Sequence, residues 1–215
     1  MPIKTVAATL LTLLFSFSAL RAEQATVGRM TVATGGGGVT ATFDGVEIFT
    51  VAPLQIPGDQ PTSLEWALVE QQDALETRTL LLRADDVASL TVSIDGRNAR
   101  IVWESQAATA ARPVVRVKDE IYRTGEGFNY AIASPSGRTA AGTVAFDPLN
   151  PEKTKSDFAA LTIQGPKSPV RFAPAETVWE FVDVRKEHPT AGQYEFAAAI
   201  AEPQTWRREF TVTVE

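Results

Sequence analysis

Cysteine is absent from this sequence of 215 residues, and histidine occurs once. A chain without cysteine forms no disulfide and offers no thiolate to a metal or a substrate, so its stability must come from an apolar core. A zinc site needs three or four histidine, cysteine or carboxylate ligands, and this composition argues against one. The single histidine, His188, lies in the charged segment RKEHPTAG, and no G-x-S-x-G motif accompanies it. We therefore predict no serine or cysteine nucleophile.

The sequence also has no cluster of lysine and arginine. Its formal net charge is −6, and its most basic segments, RVKDEIYR and VRKEH, carry charges of both signs. Nucleic acids and anionic lipid surfaces are bound through clustered basic side chains. We therefore predict that the chain binds no nucleic acid.

A phosphate-binding loop is missing as well, although residues 35–38 are four consecutive glycines. Such a loop opens a helix and ends in Lys-Ser or Lys-Thr, whereas here the strand-like segment VTATF follows. The glycines are predicted to form a turn. Asp44 and Gly45 predict a second turn, a two-residue hairpin that places Ala41 opposite Ile48.

A third hairpin is predicted in LTVSIDGRNARIVW, with its turn at Asp95 and Gly96. Apolar residues alternate with polar ones on both arms, which is the pattern of half-buried strands. The predicted inward residues are Leu90, Val92, Ile94, Ala99, Ile101 and Trp103.

The segment LEWALVEQQDAL, residues 64–75, supports two interpretations. Thr62 and Glu65 have the spacing of a helix capping box, which favours a short helix. In that interpretation TRTLLLRADD follows the helix as a strand. The alternative is a pair of strands that turn near Gln72 and Asp73.

The first 22 residues have the layout of a secretory signal peptide. Lys4 supplies a positive start, residues 6–20 are a short apolar stretch, and Ala22 is a small residue at the expected cleavage point. An uncleaved anchor is the competing interpretation, although the apolar stretch is short for a membrane span. We predict an exported protein, periplasmic or extracellular, with no integral membrane span after cleavage.

The mature chain is predicted to be all-β, an antiparallel β-sandwich of two modules. The polar, alanine-rich segment between Ser105 and Arg112 suggests a boundary, giving an N-terminal β-module at residues 23–107 and a second at residues 108–215. A long surface loop within one sandwich is the alternative. Seven short candidate strands follow the boundary, separated by Gly, Pro, Asn and Asp, as in β-sandwich domains.

The segment TAGQYEF, residues 190–196, resembles the immunoglobulin fold at the approach to its sixth strand. By that resemblance Tyr194 would be the corner tyrosine, and Phe196 would stand where the core cysteine usually is. Thr190 replaces the usual acidic residue, and both cysteines of that fold are missing. The resemblance implies an immunoglobulin-like second module and implies no function.

One loop gathers oxygen-bearing side chains that suit calcium, and calcium is the only cofactor that the sequence suggests. The spacing matches no EF-hand, and the two prolines of the segment also explain it as a rigid turn. The four candidate calcium ligands are Asp147, Asn150, Glu152 and Asp157.

Exposed aromatic side chains can stack on sugar rings or anchor protein partners. Trp206, beside two arginines, is the best candidate, followed by Trp66 and Trp179. We predict a non-enzymatic binding protein whose partner outside the cytoplasm is a protein or a polysaccharide. The alternative is a carbohydrate-binding module that uses these tryptophans. A third possibility is a glycan-processing enzyme with a carboxylate pair. The candidate pairs are Glu65 with Glu70, Asp85 with Asp86, and Asp119 with Glu120.

Overall fold

The structure, a computed structural model, describes residues 23–118, 127–145, 157–165, 168–184, 193–200 and 204–215. The predicted signal peptide and His188 lie outside the described residues. Within the described ranges the regular structure is all strand, which confirms the all-β prediction. In that part of the chain there is accordingly no helix with the length and apolar character needed to span a membrane.

The described residues form eighteen strands, whose bounds are as follows. They are β1 (Gln24–Val27), β2 (Met30–Gly35), β3 (Gly38–Phe43), β4 (Val46–Val51), β5 (Leu54–Ile56), β6 (Thr62–Leu64), β7 (Ala67–Asp73), β8 (Arg78–Ala84), β9 (Ala88–Ile94), β10 (Asn98–Ser105), β11 (Val114–Lys118), β12 (Gly127–Ala133), β13 (Thr139–Ala145), β14 (Ala160–Gln164), β15 (Pro169–Pro174), β16 (Trp179–Asp183), β17 (Gln193–Ala198) and β18 (Arg207–Val214).

Two large antiparallel sheets contain all but two of these strands. One has seven strands in the order β1-β2-β3-β4-β11-β17-β16, and the other has nine in the order β13-β12-β14-β15-β18-β10-β9-β8-β7. The hairpin of β5 and β6 forms a small third sheet. Each large sheet contains strands from both sides of residue 107, because β4 pairs with β11 and β10 pairs with β18. The predicted division into two modules at that residue stays a prediction.

Aromatic side chains from both large sheets meet in one core. The Phe172 ring of β15 stacks on the Phe196 ring of β17, with their centroids 4.7 Å apart. The Trp103 ring of β10 lies 5.4 Å from the Trp179 ring of β16. Rings from the nine-stranded sheet thus contact rings from the seven-stranded sheet, which is the packing of a sandwich. The prediction that Trp103 belongs to the core is confirmed, because its side chain is fully buried.

The four glycines form the turn between β2 and β3, as predicted. Gly35 pairs with Gly38, and between them Gly36 and Gly37 have φ angles of 57° and 74°. Such angles are costly for residues with a Cβ atom, so glycine suits both turn positions. The segment therefore leads from strand to strand and opens no helix.

The next hairpin confirms the predicted turn and corrects its register. Asp44 and Gly45 form a two-residue turn with φ angles of 51° and 76°. Beyond the turn, a bulge shifts the pairing, so that Ala41 lies opposite Phe49 and not opposite Ile48. Ile48 and Phe49 are both buried. The bulge thus allows two consecutive apolar side chains to be buried.

The helix predicted around residues 64–75 is wrong, and the alternative of two strands is confirmed. The strand pair is β7 and β8. The chain turns between them at residues 74–77, where the Ala74 N–H donates to the Thr77 carbonyl oxygen, and not at Gln72 and Asp73, which belong to β7. β7 pairs along its length with β8. This pairing with an apolar neighbouring strand outweighs the local capping signal.

All seven strands predicted after residue 107 occur, and β15 is an additional one. Prolines at both ends of β15 hide its strand pattern, because proline breaks the ladder of hydrogen bonds. Tyr194 and Phe196 of β17 are buried, in agreement with the core positions that the resemblance implies for them. The two buried rings agree with a β-sandwich, and the immunoglobulin-like assignment stays a resemblance.

Candidate functional site

The outer face of the nine-stranded sheet carries polar and charged side chains along its central strands. On β10, Ala99 and Ile101 are buried between the sheets, while Arg100 and Glu104 on alternate positions are exposed. On β18, Phe210 is buried and Arg207 is exposed. This alternation follows from the two-residue period of a strand, and it places the charged residues of both strands on one surface.

The pairing of β10 with β18 brings four charged residues together. Glu104 lies directly opposite Arg207, and Val102 lies opposite Glu209. Arg100 is two residues before Val102, which puts it within diagonal reach of Glu209. We refer to Arg100, Glu104, Arg207 and Glu209 as the charged cluster.

Hydrogen bonds connect the charged cluster into a chain of alternating charge. The Nε and Nη2 atoms of Arg100 donate to the two carboxylate oxygens of Glu209 at 2.6 and 2.8 Å. Arg207 donates from Nη2 to Glu209 at 2.9 Å and from Nε to Glu104 at 3.1 Å. One guanidinium group, that of Arg207, therefore bridges two carboxylates.

The two carboxylates have different surroundings. Glu209 is 20% exposed and accepts three charged hydrogen bonds, whereas Glu104 is 51% exposed and accepts one. The hydrogen bond from Arg100, above all, lowers the pKa of Glu209 below its usual value, and the bond from Arg207 adds to this effect. In return, the hydrogen bond to Glu209 raises the pKa of Arg100. Glu209 is thus a fixed anion, while Glu104 is the more accessible carboxylate.

The charged cluster combines carboxylates, which can transfer protons, with guanidinium groups, which can donate hydrogen bonds to a polar ligand. Because Arg207 contacts both carboxylates, they lie within the roughly 10 Å that paired carboxylates of sugar-hydrolysing enzymes do not exceed. Arg83 and Arg171 are exposed on the same face, and neither has a side-chain partner among the described residues. Thr79 and Ser93 add a pair of hydrogen-bonded hydroxyl groups.

The three tryptophans predicted to bind a ligand are buried. Trp206 is 7% exposed, Trp66 is 4% exposed and Trp179 is 1% exposed. The Nε1 atoms of Trp206 and Trp66 donate to the carbonyl oxygens of Thr109 and Ala52. The expected exposure is therefore corrected: these rings fill space between chain segments, and none presents its face to solvent.

The loop predicted to bind calcium is described only at its end. Asp147, Asn150 and Glu152 lie outside the described residues. Asp157 is exposed and has a φ angle of 55°. Within the described ranges, no three histidine, cysteine or carboxylate side chains are grouped closely enough to hold a metal ion. Calcium binding by this loop stays a prediction.

The carboxylate pair on the sheet differs from every pair predicted from the sequence. Glu65 lies against Gly37 in the β2–β3 turn, and Glu70 is on the edge strand β7. Asp85 and Asp86 occupy the turn between β8 and β9, and Asp119 and Glu120 lie outside the described residues. The sequence pattern that indicates the charged cluster is the presence of charged residues on one face of each strand: Arg100 and Glu104 in NARIVWES, and Arg207 and Glu209 in RREFTVTV. Sequence alone does not show that these two strands are neighbours.

Comparison with known proteins shows the fold and no family. No protein-family model matches the chain. A search of curated proteins also gives no match. Solved structures do match along most of the chain, at low sequence identity.

Three of these structures illustrate the likeness. The crystal structure of HI1317 has a TM-score of 0.60 at 6% identity, over 89% of this chain and 91% of that one. Galactose 1-epimerase from Lactobacillus acidophilus has a TM-score of 0.51 at 12% identity, over 89% of this chain and 92% of that one. A β-arabinopyranosidase has a TM-score of 0.55 at 9% identity, and the match spans 88% of this chain but only 39% of the enzyme.

These matches contradict the prediction of a non-enzymatic protein. Two of the three structures are named as enzymes that act on sugars, and the epimerase matches over nearly its whole length. At identities of 6 to 12% the likeness shows a shared fold, and a fold alone does not fix a reaction. The chain has a β-sandwich fold that is also found in sugar-converting enzymes.

Proposed function

We propose that this chain is a carbohydrate-processing enzyme whose active site is the charged cluster on the outer face of the nine-stranded sheet. The observation that carries the proposal is the bridging of Glu104 and Glu209 by the single guanidinium group of Arg207. The fold shared with a galactose 1-epimerase supports a sugar as the substrate class.

In this proposal Glu104 moves the proton. Its half-exposed carboxylate is able to reach a bound sugar, accept a proton from one hydroxyl group and return it to another oxygen of the same molecule. Glu209 is a poor candidate for this role, because its charged hydrogen bonds occupy its carboxylate oxygens and stabilise its ionised form. Glu104 therefore suits proton transfer better than Glu209 does.

Glu209 and the arginines position the reacting groups. Glu209 is ionised at neutral pH, because its hydrogen bonds with Arg100 and Arg207 lower its pKa. It holds Arg207 in place, and Arg207 in turn orients Glu104. The exposed arginines Arg83 and Arg171 on the same face are suited to donate hydrogen bonds to sugar hydroxyl oxygens.

The test is a panel of free aldoses and aryl glycosides. Exchange between sugar anomers is followed by NMR, and release of the aryl group is followed by absorbance. We expect Glu104→Gln to lower the rate on the responding substrate by about 100-fold, the usual scale of acid–base catalysis. We expect Glu180→Gln to leave the rate unchanged, because Glu180 is exposed on β16 of the other sheet and contacts no member of the cluster.

The proposal is wrong if wild-type protein converts none of these substrates, or if Glu104→Gln retains full activity. A smaller loss in Glu209→Gln, with a raised KM, would fit the positioning role of Glu209. Gln keeps the shape of Glu, so we expect each variant to fold. Circular dichroism of each variant tests whether a loss of activity comes from misfolding.

Export and a polysaccharide partner outside the cytoplasm are also part of this proposal, and both rest on the predicted signal peptide at residues 1–22. Mass spectrometry of the protein recovered from the periplasm and medium of an expressing bacterium is expected to give an N-terminus at or near Glu23. A chain that retains Met1 in the cytoplasm would contradict export and leave the proposed chemistry standing.

A further inference from the structure

A groove of about 400 Å³ lies beside the hairpin of β5 and β6, and its lining residues include no member of the charged cluster. Its polar lining comes from Gln55, Thr62, Ser63 and Arg112. Ligand sites for small molecules begin at roughly this volume. The groove is therefore large enough for one sugar ring.

The backbone fixes the position of Arg112 in this groove. Its N–H donates to the Gln55 carbonyl oxygen at 2.8 Å, and its own carbonyl oxygen accepts from the Gln55 N–H at 3.4 Å. These bonds use no side-chain atom. The backbone position of Arg112 therefore does not depend on what its side chain binds. A substitution at residue 112 is expected to preserve the backbone pairing with Gln55.

The guanidinium group of Arg112, like those of Arg83 and Arg171, has no hydrogen-bond or ion-pair partner among the described residues, and Arg112 differs from those two in that it lines a groove. The five N–H donors of an arginine match the two oxygens of a carboxylate. In a chain of net charge −6, an unpaired guanidinium in a groove favours an anionic ligand.

The remaining lining has both polar and apolar parts. Gln55, Thr62 and Ser63 offer hydrogen-bonding groups suited to hydroxyls. Ile56, Pro57 and Ile200 form an apolar wall, and the Ile200 side chain is 54% exposed. A pyranose ring has hydroxyl groups at its edge and C–H groups on its faces, so it complements such a lining.

We infer that this groove binds a sugar acid, with the carboxylate on Arg112, the hydroxyls on Gln55, Thr62 and Ser63, and a ring face against Ile200. The groove shares no residue with the charged cluster, and the inference does not depend on the proposed reaction there.

Isothermal titration of the full chain with D-glucuronate, D-galacturonate, D-glucose and D-galactose tests this inference. We expect a uronate to bind about 10- to 100-fold more tightly than its neutral counterpart, which is the effect of a charged hydrogen-bonding pair. Arg112→Gln is expected to remove this difference, and Arg112→Lys to keep part of it. Arg138→Gln is the matched control, because Arg138 is an exposed arginine in the turn between β12 and β13.

Glu104→Gln separates the two sites. The inference predicts that this variant binds the uronate as the wild type does. Equal affinity for uronates and neutral sugars, no measurable uronate binding, or full binding by Arg112→Gln would each overturn it. Loss of uronate binding in Glu104→Gln would also overturn it, because the ligand would then occupy the charged cluster.

Discussion

Arg100 and Glu209 are separated by 109 positions in sequence and are joined by two hydrogen bonds of 2.6 and 2.8 Å on neighbouring strands of the nine-stranded sheet. The last strand of the chain, β18, thus lies beside a strand from its middle, β10. Their contact creates the charged cluster, so the proposed active site forms only when these distant segments pair. A site built on paired strands is held more rigidly than one built on loops.

Replacing Glu209 is expected to change how stability depends on pH. The pKa of Glu209 is lowered in the folded chain, so its ion pairs stabilise the fold above the usual value of 4.5 and are lost as pH falls through the lower folded value. Glu209→Gln should therefore be less stable than wild type at neutral pH. The expected difference is only about 1 kcal/mol, because solvent screens the half-exposed Arg100. The two proteins should converge in acid.

Urea unfolding at a series of pH values from neutral to acidic measures this difference. Glu180→Gln serves as the control, because it removes an exposed carboxylate outside the cluster. A difference between wild type and Glu209→Gln that stays constant across the series would show that packing, and not charge, accounts for it.

A methyl group at Gly38 is expected to destabilise the β2–β3 hairpin. An added Cβ would lie 2.5 Å from the backbone carbonyl oxygen of Val51 on β4, and backbone atoms move only with their strand. Gly38→Ala should lower the free energy of unfolding by about 1–3 kcal/mol. Gly35→Ala is the matched control, because a Cβ there meets nothing within 4 Å and Gly35 is outside the left-handed region.

Thermal or urea unfolding of both variants gives the answer. Equal destabilisation by the two substitutions would mean that loss of glycine from the turn matters and that the contact with Val51 does not.

The ion pair of Arg116 and Glu195 is expected to matter more than a surface pair does. Glu195 is 7% exposed, and Arg116 donates to it at 2.9 Å across β11 and β17. Arg116→Met leaves a buried carboxylate without its cation, which costs about 3 kcal/mol or more at buried sites. Substituting both residues with Met should restore much of the loss, because no charge is then left unpaired.

A double-mutant cycle by urea unfolding measures the coupling. The pair of Arg207 and Glu104, with both side chains about half exposed, is the comparison, and its coupling should be below about 1 kcal/mol. Similar coupling in the two pairs would contradict the role assigned to burial.

The sequence predicts what local patterns determine. The inward row of Leu90, Val92 and Ile94 follows from alternation, and the turn at Asp44 and Gly45 follows from the backbone preferences of those residues. Neither pattern shows which strands become neighbours. The contact of Glu104 with Arg207 depends on strand pairing over 103 positions, so the local sequence does not predict the charged cluster.

Burial of the tryptophans escapes sequence-based prediction for a related reason. Trp206 directly precedes β18 and two arginines, which suggests exposure, yet a segment about 100 positions earlier covers it through Ser105 and Thr109. An aromatic residue is equally suited to a core and to a binding surface, and its neighbours decide between them. Those neighbours are set by the fold and are not visible in the local sequence.

Two buried tryptophans are expected to respond differently to replacement by phenylalanine. The Trp66 Nε1 atom donates to the Ala52 carbonyl oxygen at 2.9 Å, whereas the buried Trp103 Nε1 atom has no hydrogen-bond partner among the described residues. Trp66→Phe removes a hydrogen bond as well as part of a ring. Trp103→Phe removes part of a ring together with an unpaired donor, whose burial costs about 1–3 kcal/mol. Trp66→Phe should therefore destabilise the chain more, by about 1 kcal/mol.

Urea unfolding of the two variants under identical conditions checks this ranking. Trp103 is the more deeply buried residue and contacts Trp179, so an argument from packing volume alone predicts the reverse order. Which of the two variants loses more stability therefore distinguishes the hydrogen-bond explanation from the packing explanation. A greater loss in Trp103→Phe would show that ring packing at the centre of the sandwich outweighs the hydrogen bond of Trp66.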